Sequence, residues 1–244
     1  MRLLILVLSL FGHKAQAFFD LNGKFWPNGV ITYDVSPELP QHMIKSIKYS
    51  IEYINSLSCV RWVQRNPWEV TVVNYVSFQY WYGEGGLASC RAVTEMAGGQ
   101  QQVELGPLCM GEGTDNEKHV SVIHEMFHTM GFYHEHQRLV RDCYVELLPP
   151  TIIFSNPAYQ IRFHLYSNWP YDYESVMHYE TSNIKAWDRN QKLGRRDGKV
   201  SKYDIERLKY VYCREVSFCT REENEKLCDE IEEQEKKNRH CKHI

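Results

Sequence analysis

Residues 122–144 read VIHEMFHTMGFYHEHQRLVRDCY, and the spacing inside that stretch governs how the rest of the chain is read. His124 and His128 are four apart, so on a helix they lie on one face, one turn from each other. Two imidazoles so placed can share one metal ion. Glu125 follows the first histidine and sets a carboxylate beside the same ion at a different angle. Gly131, three residues past His128, suits a helix stop and a sharp turn. His134 then returns as a third nitrogen donor. Three protein ligands plus a water describe a catalytic zinc site, whereas structural zinc sites close all four positions.

H-x-x-x-H alone arises on many amphipathic helices as a solvated or core-satisfied pair. The full H-E-x-x-H-x-x-G-x-x-H leaves little room for accident, and a methionine turn downstream completes the metzincin pattern. Ser175-Val176-Met177-His178-Tyr179 supplies that turn. The resemblance narrows further. Residues 131–136 (GFYHEH) with Arg138, Arg141 and Asp142, and Tyr171-Asp172-Tyr173 leading into the methionine turn, resemble the astacin family of zinc metalloendopeptidases. Trp26-Pro27-Asn28-Gly29-Val30-Ile31 resembles the start of that family's first strand, so the likeness covers about residues 26–213.

That resemblance implies an α+β, zincin-like protease domain in two lobes. The upper lobe, to about residue 134, carries a mixed sheet and two long helices; the lower lobe, about 135–213, is loop-rich. It also implies disulfides Cys59–Cys213, tying the lobes, and Cys90–Cys109, closing a loop before the active-site helix. Tyr179 is implied as a resting zinc ligand that swings away to stabilise the oxyanion, and Met177 as a hydrophobic floor under the metal. The bland alternative for Tyr179 is a core aromatic. Glu135 is implied as the receptor for the buried N-terminus of the mature enzyme; its alternative is an ordinary exposed helix-end acid. Asp is usual where Val140 stands, and Cys143 replaces a polar residue, so support around the third ligand is expected to differ.

The 244 residues, 43% hydrophobic and 13% aromatic, suffice for one domain with a substantial core or for two lobes. A net charge of −3 without a basic run gives no support to nucleic-acid binding. Met1-Arg2, the apolar run 3–11 and Ala15-Gln16-Ala17 order themselves as a signal peptide (residues 1–17), with a mature chain from Phe18; a buried N-terminal strand or helix is the alternative. The run is too short to span a bilayer. All eight cysteines follow it, an even count that argues for disulfides in a secreted chain. Cys143, Cys219, Cys228 and Cys241 stay unassigned, and their spacings match no familiar zinc module. The family's inhibitory propeptide is not recognisable, so signal cleavage is expected to create an N-terminus near Phe18 within reach of Glu135, in an enzyme born active or restrained by another protein. A truncated copy that folds poorly is the other reading.

Along the chain, residues 29–35 alternate as a strand, and residues 38–57 carry Met43, Ile44, Ile47, Ile51 and Ile54 as one helical apolar stripe. Residues 59–63 and 70–78 read as two further strands. Tyr80, Trp81 and Tyr82 suit core or loop packing. Gly83-Glu84-Gly85-Gly86 lacks the Walker lysine and reads as a plain loop. Arg91-Ala92-Val93 is expected to be the edge strand that pairs with an extended substrate, although the family commonly carries an aromatic residue there. Gly98-Gly99 turns into a strand at 102–105, and residues 117–130 form the helix bearing the first two histidines. Beyond His134, Pro149, Pro150, Pro157 and Pro170 break the chain, with one helix expected at 202–212 capped by Ser201. Residues 214–244 form either a charged helix or a flexible tail pinned by cysteines, with no function assigned.

The expected function is zinc-dependent hydrolysis of internal peptide bonds. His124, His128 and His134 hold one Zn2+, which lowers the pKa of its water to about 7, and Glu125 is general base and then proton donor to the leaving amine. The expected partners are protein or peptide substrates, with no nucleic acid and no membrane, and the chain is expected to be a monomer. A catalytically silent secreted binding protein is the second reading; it would normally have lost a ligand or Glu125, and all are present. An adhesive or channel-binding role for the tail would need more cysteines than it has.

Overall fold

A computed structural model of the chain describes residues 16–20, 22–68, 71–83, 88–111, 113–164 and 166–241. Residues 1–15 of the expected signal peptide and loop residues Glu84, Gly85 and Gly86 lie outside these. The element order is β1 Gln16–Phe19, β2 Val30–Val35, α1 Gln41–Leu57, β3 Arg61–Gln64, β4 Tyr75–Tyr80, β5 Arg91–Ala92, β6 Gln100–Leu105, the single turn α2 Pro107–Met110 and α3 Asp115–Thr129. There follow β7 Val145–Leu147, the single turn α4 Ile152–Ser155, β8 Tyr166–Ser167, β9 Ile184–Ala186, α5 Lys202–Cys213 and α6 Glu222–Lys237.

Five strands form one mixed sheet in the order β3-β2-β4-β6-β5. The first four are parallel, and β5 closes the edge antiparallel to β6, Arg91 facing Glu104 and Ala92 facing Val103. Along β6, Gln101, Val103 and Leu105 are buried while alternate residues face outward, the period of two that a half-covered sheet requires. Helix α1 packs on β3, and α3 packs on β5, β6 and α1. The α1 stripe of Met43, Ile47, Ile51 and Ile54 is buried; each such side chain contributes roughly 1.5–3 kcal/mol on leaving water. This is the α+β architecture, with a second, smaller apolar cluster built from Val140, Val145, Leu147, Tyr159, Tyr171 and Ile184 below it.

Several element bounds differ from the sequence reading. Helix α1 starts at Gln41 rather than residue 38, because Pro40 disfavours the helical region for Leu39 and stands at the N-cap itself. The strand expected at 70–78 runs from Tyr75 to Tyr80: Val73 is exposed, and pairing to β6 begins only at Tyr75–Gln100. Thr71, Val72 and Val73 lie in no strand, the lack of a partner outweighing propensity, and Val70 lies outside the described residues. Strand β3 likewise starts at Arg61, where pairing to Val30 begins, and not at Cys59. The stretch 27–29 is a tight 3-10 turn with Asn28 at φ 57°, so the strand begins at Val30. An N-terminal strand, β1, pairs antiparallel with β8, and Phe19 bridges to Phe132. The tail is helical over α6.

All eight cysteines are paired: Cys59–Cys213, Cys90–Cys109, Cys143–Cys241 and Cys219–Cys228. Cys143 therefore fastens the lower cluster to the tail. Nearby, Tyr144 Oη donates to the buried Glu235 of α6, Asn238 Nδ2 donates to Cys143 O at 3.1 Å, and Trp187 stacks on His240.

Candidate active site

Helix α3 carries the first two histidines, and its ends explain its position. Thr114 Oγ1 accepts from Glu117 N (3.3 Å) while the Glu117 carboxylate accepts from Thr114 N (2.7 Å), a capping box that starts the helix at Asp115. The reading from residue 117 missed this Thr-x-x-Glu signal, which is visible in the sequence. At the other end Gly131 adopts φ +96°, its N–H donating to His128 O at 2.8 Å; a Cβ there would sit 2.8 Å from the Phe25 ring. Only glycine fits that turn, and the turn swings His134 back over the helix.

The three imidazoles converge. His134 Nε2 lies 3.2 Å from His124 Nε2 and 3.1 Å from His128 Nε2. His124 Nδ1 is 2.8 Å from Val176 O and His128 Nδ1 is 2.8 Å from Phe132 O. Those carbonyls can only accept, so each Nδ1 holds the proton and each Nε2 turns a lone pair toward the common point. Zn–N bonds of about 2.0–2.1 Å in a tetrahedron separate nitrogens by about 3.3–3.4 Å, so the donors suit zinc in type and spacing. Among the described residues this is the only cluster of three or more His, Cys, Asp or Glu able to hold a metal ion. Burial, the largest influence, pulls His124 down to about 4 and His128 to about 3, and takes His134 well below the ordinary imidazole range. All three are neutral at physiological pH, the form that ligates metal.

Glu125 lies in the same cleft, lined also by His124, His178, Tyr179, Thr181 and Arg196. Its Oε2 is buried without a hydrogen-bond partner, and burial pushes its carboxyl up to about 8. A cation beside it acts in the opposite direction. The Tyr179 ring centre is 4.2 Å from that of His134, and burial followed by the Glu125 charge raises its phenol to about 12. Arg196 pairs with Glu180 at 2.8 Å on the cleft rim.

The methionine turn is held from α5. Asp204 Oδ1 accepts from Ser175 Oγ at 2.6 Å, and Oδ2 accepts from Val176 N at 2.7 Å and Ser201 N at 3.1 Å. Ser201 in turn caps α5 through Asp204 N. Because Val176 O orients His124, the α5 N-terminus fixes a candidate ligand. Met177 is fully buried, and its carbonyl accepts from Glu135 N at 3.1 Å. Glu135 is itself buried among guanidinium groups: Arg138 Nη1 at 2.6 Å and Arg207 Nη1 at 3.1 Å, with Asp172 N donating at 2.8 Å. Burial opposes its charge, and the two arginines reverse that and hold it below the ordinary carboxylate range. Arg207 and Asp204 escaped the sequence reading. The Ser-x-x-Asp box marked Asp204 locally, but nothing local marks an arginine that meets Glu135 across 72 residues.

The profile of the astacin peptidase family matches residues 19–213. The chain is 31% identical over 207 residues to zinc metalloproteinase nas-15 of Caenorhabditis elegans, covering 76% of this chain and 32% of that protein. It is 32% identical over 214 residues to high choriolytic enzyme 2 of Oryzias latipes, covering 79% of this chain and 69% of the relative. It thus spans about a third of the length of the nematode protein. Among solved structures it is similar to high choriolytic enzyme 1, a hatching enzyme zinc-protease from the same fish, with TM-score 0.61, 26% identity, and coverage of 78% of this chain and 94% of that one. Myroilysin, at TM-score 0.55 and 21% identity with 82% and 100% coverage, shares the fold. With the match covering most of its length and the histidine triad assembled, this chain belongs to the astacin family of zinc metallopeptidases.

Proposed function

We propose that this chain is a secreted zinc-dependent endopeptidase that hydrolyses internal peptide bonds of proteins. The observation that carries this reading is the convergence of three imidazole Nε2 atoms on one point, in a cleft shared with the buried, unpartnered oxygen of Glu125. His124, His128 and His134 would hold one zinc ion, which supplies Lewis-acid polarisation of the scissile carbonyl and acidifies a water.

The chain's own groups do the rest. The outer edge of β5 offers main-chain donors and acceptors to an extended peptide and lays it across the cleft. Glu125 takes the attacking water's proton and delivers it to the leaving amine, a role worth about 10²–10⁴ in rate. The Tyr179 phenol stays protonated and donates toward the developing oxyanion, worth roughly 3 kcal/mol. Asp204 and the Val176 carbonyl keep His124 in the tautomer that presents Nε2.

Secretion rests on the charged and apolar N-terminal run and on the four disulfides. No described helix is long and apolar enough to cross a membrane. We place the signal peptide at residues 1–17 and the protease domain at 18–213, followed by the tail.

The test is cleavage of denatured casein by secreted protein, with a zinc chelator and Glu125→Gln as controls. Cleavage should vanish with chelator and fall by about 10²–10⁴ in the variant, which should still bind one zinc per chain. A folded, zinc-loaded protein that leaves casein intact would sink the reading.

A further inference from the structure

Among the described residues, three that are not glycine have a positive φ: Asn28, Glu95 and Arg214. Asparagine tolerates that region, and Arg214 is the left-handed cap of α5. Glu95, at φ +72°, has neither excuse. It lies between the edge strand β5 and β6, where glycine would sit without strain.

Four hydrogen bonds hold it there. Its N–H donates to His128 O at 2.9 Å, and its carbonyl accepts from Gln101 Nε2 at 2.8 Å. Its Oε1 accepts from Tyr133 Oη at 3.0 Å and its Oε2 from Lys24 N at 3.1 Å. Met96 N donates to Lys24 O at 2.9 Å, so the N-terminal segment is bound to the same spot. A Cβ on Gly23 would come within 2.9 Å of the Glu95 carboxyl, so the chain there is shaped around it.

Two of those bonds fall at opposite ends of one short loop. The backbone of Glu95 grips His128, the second candidate ligand, and its carboxylate grips Tyr133, the residue before the third. We infer that Glu95 is a positioning residue for the metal centre, a staple across the loop from His128 to His134 that fixes the separation of those two imidazoles. The inference rests on the zinc reading given above. It differs from the orientation of single rings by Val176 O and Phe132 O, because it acts on the distance between two ligands. The strained backbone is the cost of placing a carboxylate where glycine could offer none.

The experiment measures zinc affinity, by competition with a chromophoric chelator, and melting temperature with and without zinc. It uses the full secreted chain and its Glu95→Gly, Glu95→Gln and Tyr133→Phe variants. Glu95→Gly and Tyr133→Phe should each weaken zinc binding about tenfold, the low end for residues behind a ligand. The double variant should lose less than the product of the two, because both cut one link. Glu95→Gln, which keeps one acceptor oxygen and sets an NH2 donor in place of the other, should fall between them and the parent, and it serves should Glu95→Gly fold poorly. The rise in melting temperature on adding zinc should shrink in every variant.

A merely structural role predicts a lower metal-free melting temperature with the zinc-induced rise unchanged, and that result overturns the inference. So does parental zinc affinity in both Glu95→Gly and Tyr133→Phe. A parental protein that takes up no zinc overturns the zinc reading and this inference together. One that binds zinc normally but leaves casein intact sinks the endopeptidase reading alone.

Discussion

Histidines serve this fold in two opposed ways. Those of the triad, one buried and two half-buried, gather their Nε2 atoms at one point, whereas His119 is buried between α1 and α3 with both ring nitrogens lacking partners, stacked 3.9 Å over Tyr49. Burial lowers its pKa, with Asp115 pulling the other way and Lys45 adding to the depression. The unfolded chain therefore takes the proton first as pH falls. The stability that His119 confers as a neutral ring is complete above about pH 6.5 and is lost as pH falls through its folded value. His119→Phe keeps the stack and removes the titration. In unfolding titrations of metal-free protein between pH 7.5 and 5, that variant should lose less stability than the parent, the difference widening toward acid. At this scale the sequence told much: His124, Glu125, His128 and His134 were legible because helical period and a glycine turn place them without knowledge of the rest. Glu95 was not, because a left-handed φ leaves no mark on residue order, and neither was Arg207, whose partner is distant in the chain.

Elements were legible where local signals agreed and shifted where pairing decided. Helices α3 and α5 each begin at a reciprocal cap, Thr114 with Glu117 and Ser201 with Asp204, and α5 was placed within a residue of its ends. Strands β3 and β4 moved because a strand begins where its neighbour does, which one sequence segment cannot report. The two caps should behave differently under mutation. Thr114 is exposed at the far end of α3 from the turn to His134, so Thr114→Ala should cost about 1 kcal/mol in unfolding measurements. Zinc affinity and casein turnover should stay at parental values. Asp204 stands behind His124, so removing its carboxylate would reach the site as well as the helix.

For the whole molecule, covalent closure weighs heavily. The four disulfides span 154, 98, 19 and 9 residues. On the chain-entropy account a closed loop near 100 residues adds about 4.7 kcal/mol at 25 °C, and the shortest here about 2.5. Paired Cys→Ser variants of Cys143–Cys241 should therefore melt well below those of Cys219–Cys228. The loss should be concentrated in the lower cluster, which hydrogen exchange can locate through amides of β7 and β9. The sequence announced that the cysteines pair, yet left open that Cys143, close behind the third histidine, reaches Cys241 in the tail. The tail helix consequently belongs to the protein's own packing.

That linkage also fixes an order of maturation. On the secreted reading proposed above, a chain threaded into an oxidising compartment N-terminus first presents Cys59 and Cys143 long before Cys213 and Cys241 emerge. At 5–20 residues per second, the 154-residue interval lasts roughly 8–30 s. Over the later part of that interval, once Cys143 has emerged, two thiols without their native partners stand exposed to an oxidase, beside Cys90 and Cys109, which can already close on each other. A Cys59–Cys143 bond formed in that interval would have to be exchanged for the two native ones, and of the four disulfides Cys143–Cys241, which ties the lower cluster to the tail, is the one whose second cysteine is made last.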